Sequence, residues 1–176
     1  MAGNPFITAR LFSFLKDLKK NNNRDWFADN KDRFENDVRE PLIDFIAAFS
    51  EDLYKISKHL EANTKKVGGS LFRIYRDVRF SKDKSPYKTN VGVHFRHEDA
   101  KDAHAPGYYL HLEPGEVFFA AGIWHPDSGA LKQIRSHIVE NSAGWKRAIG
   151  GRFKSELKLE GDSLSGALLG SIRNIR

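Results

Sequence analysis

Residues 107–124 read GYYLHLEPGEVFFAAGIW, and this stretch decides the fold. Tyr108, Leu110 and Leu112 alternate with Tyr109, His111 and Glu113, the period-two pattern of a strand with one apolar face. Pro114-Gly115 is a turn dipeptide. Beyond it Val117, Phe119, Ala121 and Ile123 continue the apolar face, which predicts an antiparallel hairpin. If Glu113 pairs with Glu116 across the turn, His111 lies opposite Phe118 and Tyr109 opposite Ala120. The face away from the core then carries Tyr109, His111, Ala120, Gly122 and Trp124. Asn90, Gly92 and His94 join it if their strand is the neighbour.

Working outward, Val91, Val93 and Phe95 alternate with Asn90, Gly92, His94 and Arg96, a half-buried strand, and 71–75 is β-like. A single antiparallel sheet of about four strands is expected over 71–124. Its buried positions are expected to be Val91, Val93, Phe95, Leu110, Leu112, Phe119 and Ile123. The N-terminal third reads as helix. Thr8 is an N-cap candidate, Leu11, Phe12, Leu15 and Leu18 share a face, and Asn21, Asn22 and Asn23 end the segment. Residues 27–57 keep a 3.6 period from Phe27 to Ile56. Pro41 interrupts it with a kink or a helix junction, and Glu40 before it is biased away from helical geometry. Leu131, Ile134 and Ile138 return to helical spacing. The fold class is α+β, with N-terminal and C-terminal helices covering the sheet. One domain is expected over 1–160, followed by an irregular tail at 161–176.

The chain of 176 residues, 40% hydrophobic, is long enough to bury a real core. It has no cysteine, which excludes disulfides, thiolate nucleophiles and Cys-ligated metal centres and suits a reducing compartment. The longest apolar run, 117–124, is far too short for a membrane span, and no signal-peptide pattern is visible. A cytoplasmic protein without membrane partners is expected. The net charge of +6 favours anionic partners.

The densest ionisable segment is 73–88, RIYRDVRFSKDKSPYK, with six basic residues against two acidic ones. Arginine suits bidentate grip on phosphate or carboxylate. Arg73, Tyr75, Asp77 and Arg79 share one face if the strand continues that far. Arg76 then projects from the other side beside Phe72 and Ile74 and requires an acidic partner. Arg76 and Asp83 are therefore assigned to a structural ion network. Arg73, Arg79, Asp77, Lys84 and Tyr87 are assigned to a ligand site, with Tyr109 and His111 of the sheet face as further ligand candidates.

This segment resembles the signature of an uncharacterised family, that of domain of unknown function 2461: Arg-x-x-Arg-Asp-x-Arg-Phe, a gap, Asp/Asn-Lys and, after two intervening residues, Tyr. Arg73, Arg76, Asp77, Arg79, Phe80, Asp83, Lys84 and Tyr87 match it. Asn22-Asn23-Arg24-Asp25-Trp26-Phe27 and the stretch from Gly107 to Pro126 also resemble the family. The resemblance spans roughly 5–160 and implies no established activity. Members are longer and continue with a Pro-rich stretch ending near FDP-x-HP, whereas this chain ends GSIRNIR. The nucleotide order GGTTCGATCCGCAACATCCG reads GSIRNI in one frame and FDPQHP in another. The expectation is a frameshift near Ser163 and a non-native tail.

Two other patterns are rejected. Gly161-Asp162-Ser163-Leu164 spells an esterase motif, but no His follows it. His125, Asp127 and Ser128 are sequence neighbours, and triad members come from different elements. His94 and His111 lack a third ligand at a recognisable spacing, so no metal is expected, and no motif identifies a cofactor. The leading functional expectation is binding of an anionic or phosphorylated small ligand, with or without catalysis, through 73–88. The alternatives are a nucleic-acid-binding module and a non-catalytic interaction protein.

Overall fold

The computed structural model describes residues 5–99 and 104–158. The tail at 161–176, and with it the expected frameshift, lies outside the described residues. The chain falls into two compact units, Met1–His125 and Pro126–Arg176.

The first unit opens with helix α1 (Ala9–Lys20). Thr8 caps it with extended backbone but without a side-chain hydrogen bond. Its buried residues are Leu11, Phe14, Leu15 and Leu18. Phe14, rather than the expected Phe12, completes the i, i+3, i+4, i+7 face, and its ring meets Trp26, Phe27 and Phe34 at 5.7, 6.4 and 5.7 Å. Helix α2 (Arg24–Asp29) starts from Asn23, whose side chain accepts from the Trp26 N–H. Helix α3 (Lys31–Phe34) runs through a π-turn (Glu35–Arg39) into α4 (Glu40–Ile56). Pro41 sits in the first turn of α4. A proline there needs no N–H partner but crowds the carbonyl four residues back. The wide turn just before it, in which the Glu40 N–H reaches Glu35 O, relieves that crowding. Glu40 itself is helical, against expectation, because the helix continues on both sides of it.

The sheet has four strands in sequence order, β1 (Leu60–Glu61), β2 (Val91–His97), β3 (Gly107–Glu113) and β4 (Glu116–Gly122), all antiparallel. The hairpin register is Glu113 with Glu116, His111 with Phe118 and Tyr109 with Ala120. Gly115 takes φ 93° in the turn, a conformation that other residues adopt only under strain. The first strand lies at 60–61; residues 71–75 contribute only isolated bridges, Leu71 to Val93 and Tyr75 to Tyr87.

The core lies between the helices and the sheet. One cluster joins α1, Phe27, Val38 and Leu42 to Ile74, Tyr87, Val91 and Leu112. The other joins Ile46 and Leu53 of α4 to Val93 and Phe95. Phe119, expected inside, is 53% exposed on β4. Strand β2 is buried from Val91 to Phe95 on both faces, so its period-two sequence does not translate into one wet face.

In the second unit, α5 (Ser128–Glu140) is capped by Asp127, whose carboxylate accepts from the Ala130 N–H. Helices α6 (Ser142–Ala148) and α7 (Gly151–Glu156) follow. No helix among the described residues is long and apolar enough to cross a membrane.

Candidate functional site

The basic segment is a two-stranded ribbon. At its base, the Phe72 N–H donates to Gly92 O and the His94 N–H to Ser70 O, so 70–72 runs along β2. Farther out, the Lys88 N–H donates to Ile74 O and the Arg76 N–H to Pro86 O. The ribbon is fastened to the helices from below. Asn22, between α1 and α2, donates from Nδ2 to Tyr87 O at 3.0 Å and accepts the Tyr87 N–H on Oδ1 at 3.1 Å. The Tyr87 ring stacks on Phe27 with centroids 4.1 Å apart. Tyr87, expected to close a ligand site from the loop, is therefore a core ring, and burial raises its hydroxyl pKa.

Side chains alternate as a ribbon requires. Arg73, Tyr75, Asp77 and Arg79 are exposed, while Ile74 is buried and Arg76 half-buried. Arg76 pairs with Asp83, which also accepts from the Ser85 hydroxyl and N–H. These bonds, Ser85 before Arg76, hold the Asp83 carboxyl well below the usual range. Asp77 takes Arg79 bidentately at 3.0 and 2.7 Å, and hydrogen bonds from Arg79 lower its pKa to about 2. Lys84 donates to Val78 O at 2.9 Å. Both carboxylates of the motif are thus engaged by its own arginines.

Arg73 has no carboxylate within 4 Å among the described residues. Beside it stands Lys88, half-buried, its ammonium 5.5 Å from the centre of the Phe72 ring. Burial first and the Arg73 charge second push the Lys88 pKa down. Arg73, Lys88 and Asn90 supply the polar lining of a crevice of about 10 Å³, room for roughly one water. A larger cleft of about 270 Å³ lies elsewhere, with Leu60, His97, Pro106 and Tyr108 in its wall. Among the described residues, His97 and Tyr108 are the ionisable side chains that line it.

Asn90 leads from the ribbon onto the outer face of the sheet. The Tyr109 hydroxyl lies 3.1 Å and Asn90 Nδ2 3.5 Å from His111 Nδ1, and the imidazole stacks on Phe118 at 4.7 Å. The space left by Gly92 is taken by Tyr109 and Phe72: a Cβ there would stand 2.7 Å from Tyr109 Cε2 and 3.0 Å from Phe72 Cδ2. His94 is buried beside them, its Nδ1 without a hydrogen bond, and burial lowers its pKa, with Arg96 adding to the effect. At the turn end of the same face, His111, Glu113 and Glu116 bring three donor atoms within 4.8 Å of one another. Sequence reasoning missed Asn22, Lys88, Glu113 and Glu116. For the two glutamates the signal was present in the hairpin register.

Fold and site together define an α+β protein whose four-stranded antiparallel sheet carries a cationic ribbon braced by its own acids and by the α1–α2 junction. The family model described as conserved hypothetical protein (DUF2461) matches residues 10–171, and the chain belongs to that family. No curated protein and no solved structure matches it.

Proposed function

We propose that the protein binds a small anionic ligand, a phosphate or carboxylate group, between Arg73 and Lys88, with Asn90 as a polar neighbour. One observation carries this reading. Arg76 and Arg79 are neutralised by Asp83 and Asp77, whereas Arg73 and Lys88 stand close enough for one charge to depress the other's pKa. Two cations held together at a partly desolvated crevice repel each other, and an anion between them removes that cost. Arginine offers the ligand a planar fork and lysine a point charge. Within the broader assignment of 73–88, this makes Arg73 the primary ligand group and gives Arg79, Asp77 and Lys84 the role of shaping the ribbon tip.

A thermal-shift titration with inorganic phosphate, sulfate and a phosphorylated sugar tests the reading. The wild type is expected to be stabilised by at least one of them, and Arg73→Ala and Lys88→Met each to abolish the shift. Absence of any shift in the wild type, or an unchanged shift in both variants, refutes it.

Nucleic-acid binding is a second reading with one specific observation behind it. Phe80 is 95% exposed at the ribbon tip, with the Arg79 guanidinium 5.8 Å from its ring centre. An aromatic beside a cation suits a stacked base. Filter binding that weakens steeply with salt and is lost in Phe80→Ala supports this alternative. No retention of single- or double-stranded DNA or RNA at low salt removes it.

A further inference from the structure

The β3–β4 turn places Glu113 directly opposite Glu116. Like charges at opposed cross-strand positions destabilise a hairpin, and this pair has a third polar neighbour on the same face. His111 lies two residues before Glu113 on β3, and alternate residues of a strand share a face. The imidazole is fixed on one side by the Tyr109 hydroxyl at Nδ1 and by its stack on Phe118. Its other nitrogen, Nε2, is buried, has no hydrogen bond, and stands 3.6 Å from Glu113 Oε2. Glu113 is held by its opposite oxygen: Oε1 lies 3.4 Å from the Thr89 hydroxyl and 3.5 Å from Lys19 Nζ. An orphaned imidazole nitrogen and the outer oxygen of an anchored carboxylate therefore converge, with Glu116 beside them.

We propose that His111 Nε2, Glu113 and Glu116 form a binding site for a divalent transition-metal ion of the zinc or manganese class. One imidazole and two carboxylates are the mixed nitrogen–oxygen donor set that these ions accept, whereas calcium and magnesium prefer oxygen alone. A proton on Nδ1 donated to the Tyr109 oxygen leaves the Nε2 lone pair for the metal, the usual arrangement behind a ligating histidine; it requires the Asn90 amide, whose Nδ2 stands 3.5 Å from Nδ1, to turn its oxygen to that side. The donor spread of up to 4.8 Å is wider than a bound ion permits, and Glu116, being exposed, is the side chain free to close it. Lys19 offsets one of the two carboxylate charges and leaves the cluster net negative. The site is independent of the anion reading, because neither Arg73 nor Lys88 belongs to it.

The test uses the full chain, stripped with a chelator and titrated calorimetrically with Zn²⁺ and Mn²⁺. Co²⁺ is added as a spectroscopic probe, whose visible absorption reports its coordination. One ion per chain is expected. Glu116→Gln and His111→Gln are each expected to weaken binding by about tenfold or more. His59→Gln, at the separate His59–His97 stack, should leave affinity unchanged. Glu116 is exposed, so Glu116→Gln folds normally and decides the question even if His111→Gln does not. Absence of stoichiometric binding by the wild type, or wild-type affinity in Glu116→Gln, overturns the proposal.

Discussion

Replacing Asn22 with alanine tests how the cationic ribbon is held. The Asn22 amide makes two hydrogen bonds to the backbone of one residue, Tyr87, at 3.0 and 3.1 Å, across 65 positions of sequence. Each bond contributes about 1 kcal/mol net. The substitution also leaves a partly buried N–H and carbonyl of Tyr87 unmatched, so the expected loss is roughly 2–3 kcal/mol. For a chain of this length about 1 kcal/mol moves the melting midpoint by about 2–4 °C. A fall of about 5–10 °C is therefore expected by calorimetry. The effect should also be local. The Arg76 and Lys88 amides, which bond across the ribbon to Pro86 and Ile74, should exchange with deuterium faster, while β2–β3 amides near Val93 and Leu110 keep their protection. A midpoint within about 1 °C of wild type, with unchanged exchange at Arg76 and Lys88, would refute the view that Asn22 fastens the ribbon.

Further outcomes follow from the same geometry. Gly92→Ala forces a Cβ against Tyr109 and Phe72; overpacking of this kind costs about 1–3 kcal/mol, and it should shift the His111 imidazole resonances by displacing the Tyr109 hydroxyl. Arg76→Ala should lower the melting midpoint clearly and Arg79→Ala leave it nearly unchanged, because the Arg76 side chain is 29% exposed and the Arg79 side chain 77%; equal effects would contradict this. His94 is held below the ordinary histidine value by burial. The unfolded chain therefore takes up a proton near pH 6.5 that the folded chain refuses, and stability drops as pH falls from about 7 toward 5. The groups facing His94 are Arg96 on its own strand, Tyr109 across the pair and the Phe72 ring. His94→Leu should flatten the melting-midpoint profile over that range, and a profile as steep as wild type would show that His94 is not responsible.

The hairpin was legible because two local signals agree. A Pro-Gly turn fixes the connection, and period-two alternation fixes which residues share a face, so the register follows without tertiary information. Residues 71–75 misled because β-like composition does not say whether a segment joins a ladder or only touches one. The two-residue strand at 60–61 is too short to leave any pattern. Phe12 and Phe14 are both apolar and near the helix face, and only packing against Trp26, Phe27 and Phe34 selects Phe14. Phe119 alternates correctly yet is exposed, because alternation identifies a face and not what covers it. On β2 the reverse holds: Gly92 and His94 read as the open side, but Phe72 and Tyr109 fold over them. The Asn21–Asn23 run reads locally as a helix stop, which it is, but the partner of Asn22 is a backbone 65 residues away and has no sequence signature.

The same limit explains why the arginines were sorted only partly. Alternation separates Arg76 from Arg73 and Arg79, and the half-buried Arg76 does meet an acid, Asp83. It does not separate Arg73 from Arg79, which share a face. What divides them is where the ribbon ends: Arg79 lies beyond the last backbone–backbone hydrogen bond across the ribbon among the described residues, at Arg76–Pro86, and turns back on Asp77 two residues away. Arg73 lies inside the paired region, where its neighbours are Lys88, fixed by the backbone bond at Ile74, and the β2 residues behind it. An exposed pair within one loop is weak and salt-sensitive, so the Asp77–Arg79 contact gives way to solvent at little cost. Among the described residues neither Arg73 nor Lys88 forms an ion pair, although the Arg73 charge also reaches Asp77, and both are carried by the backbone-paired part of the ribbon. Charges preorganised on a rigid element lose little entropy on binding, and for that reason the proposed anion site is put at the base of the ribbon and not at its tip.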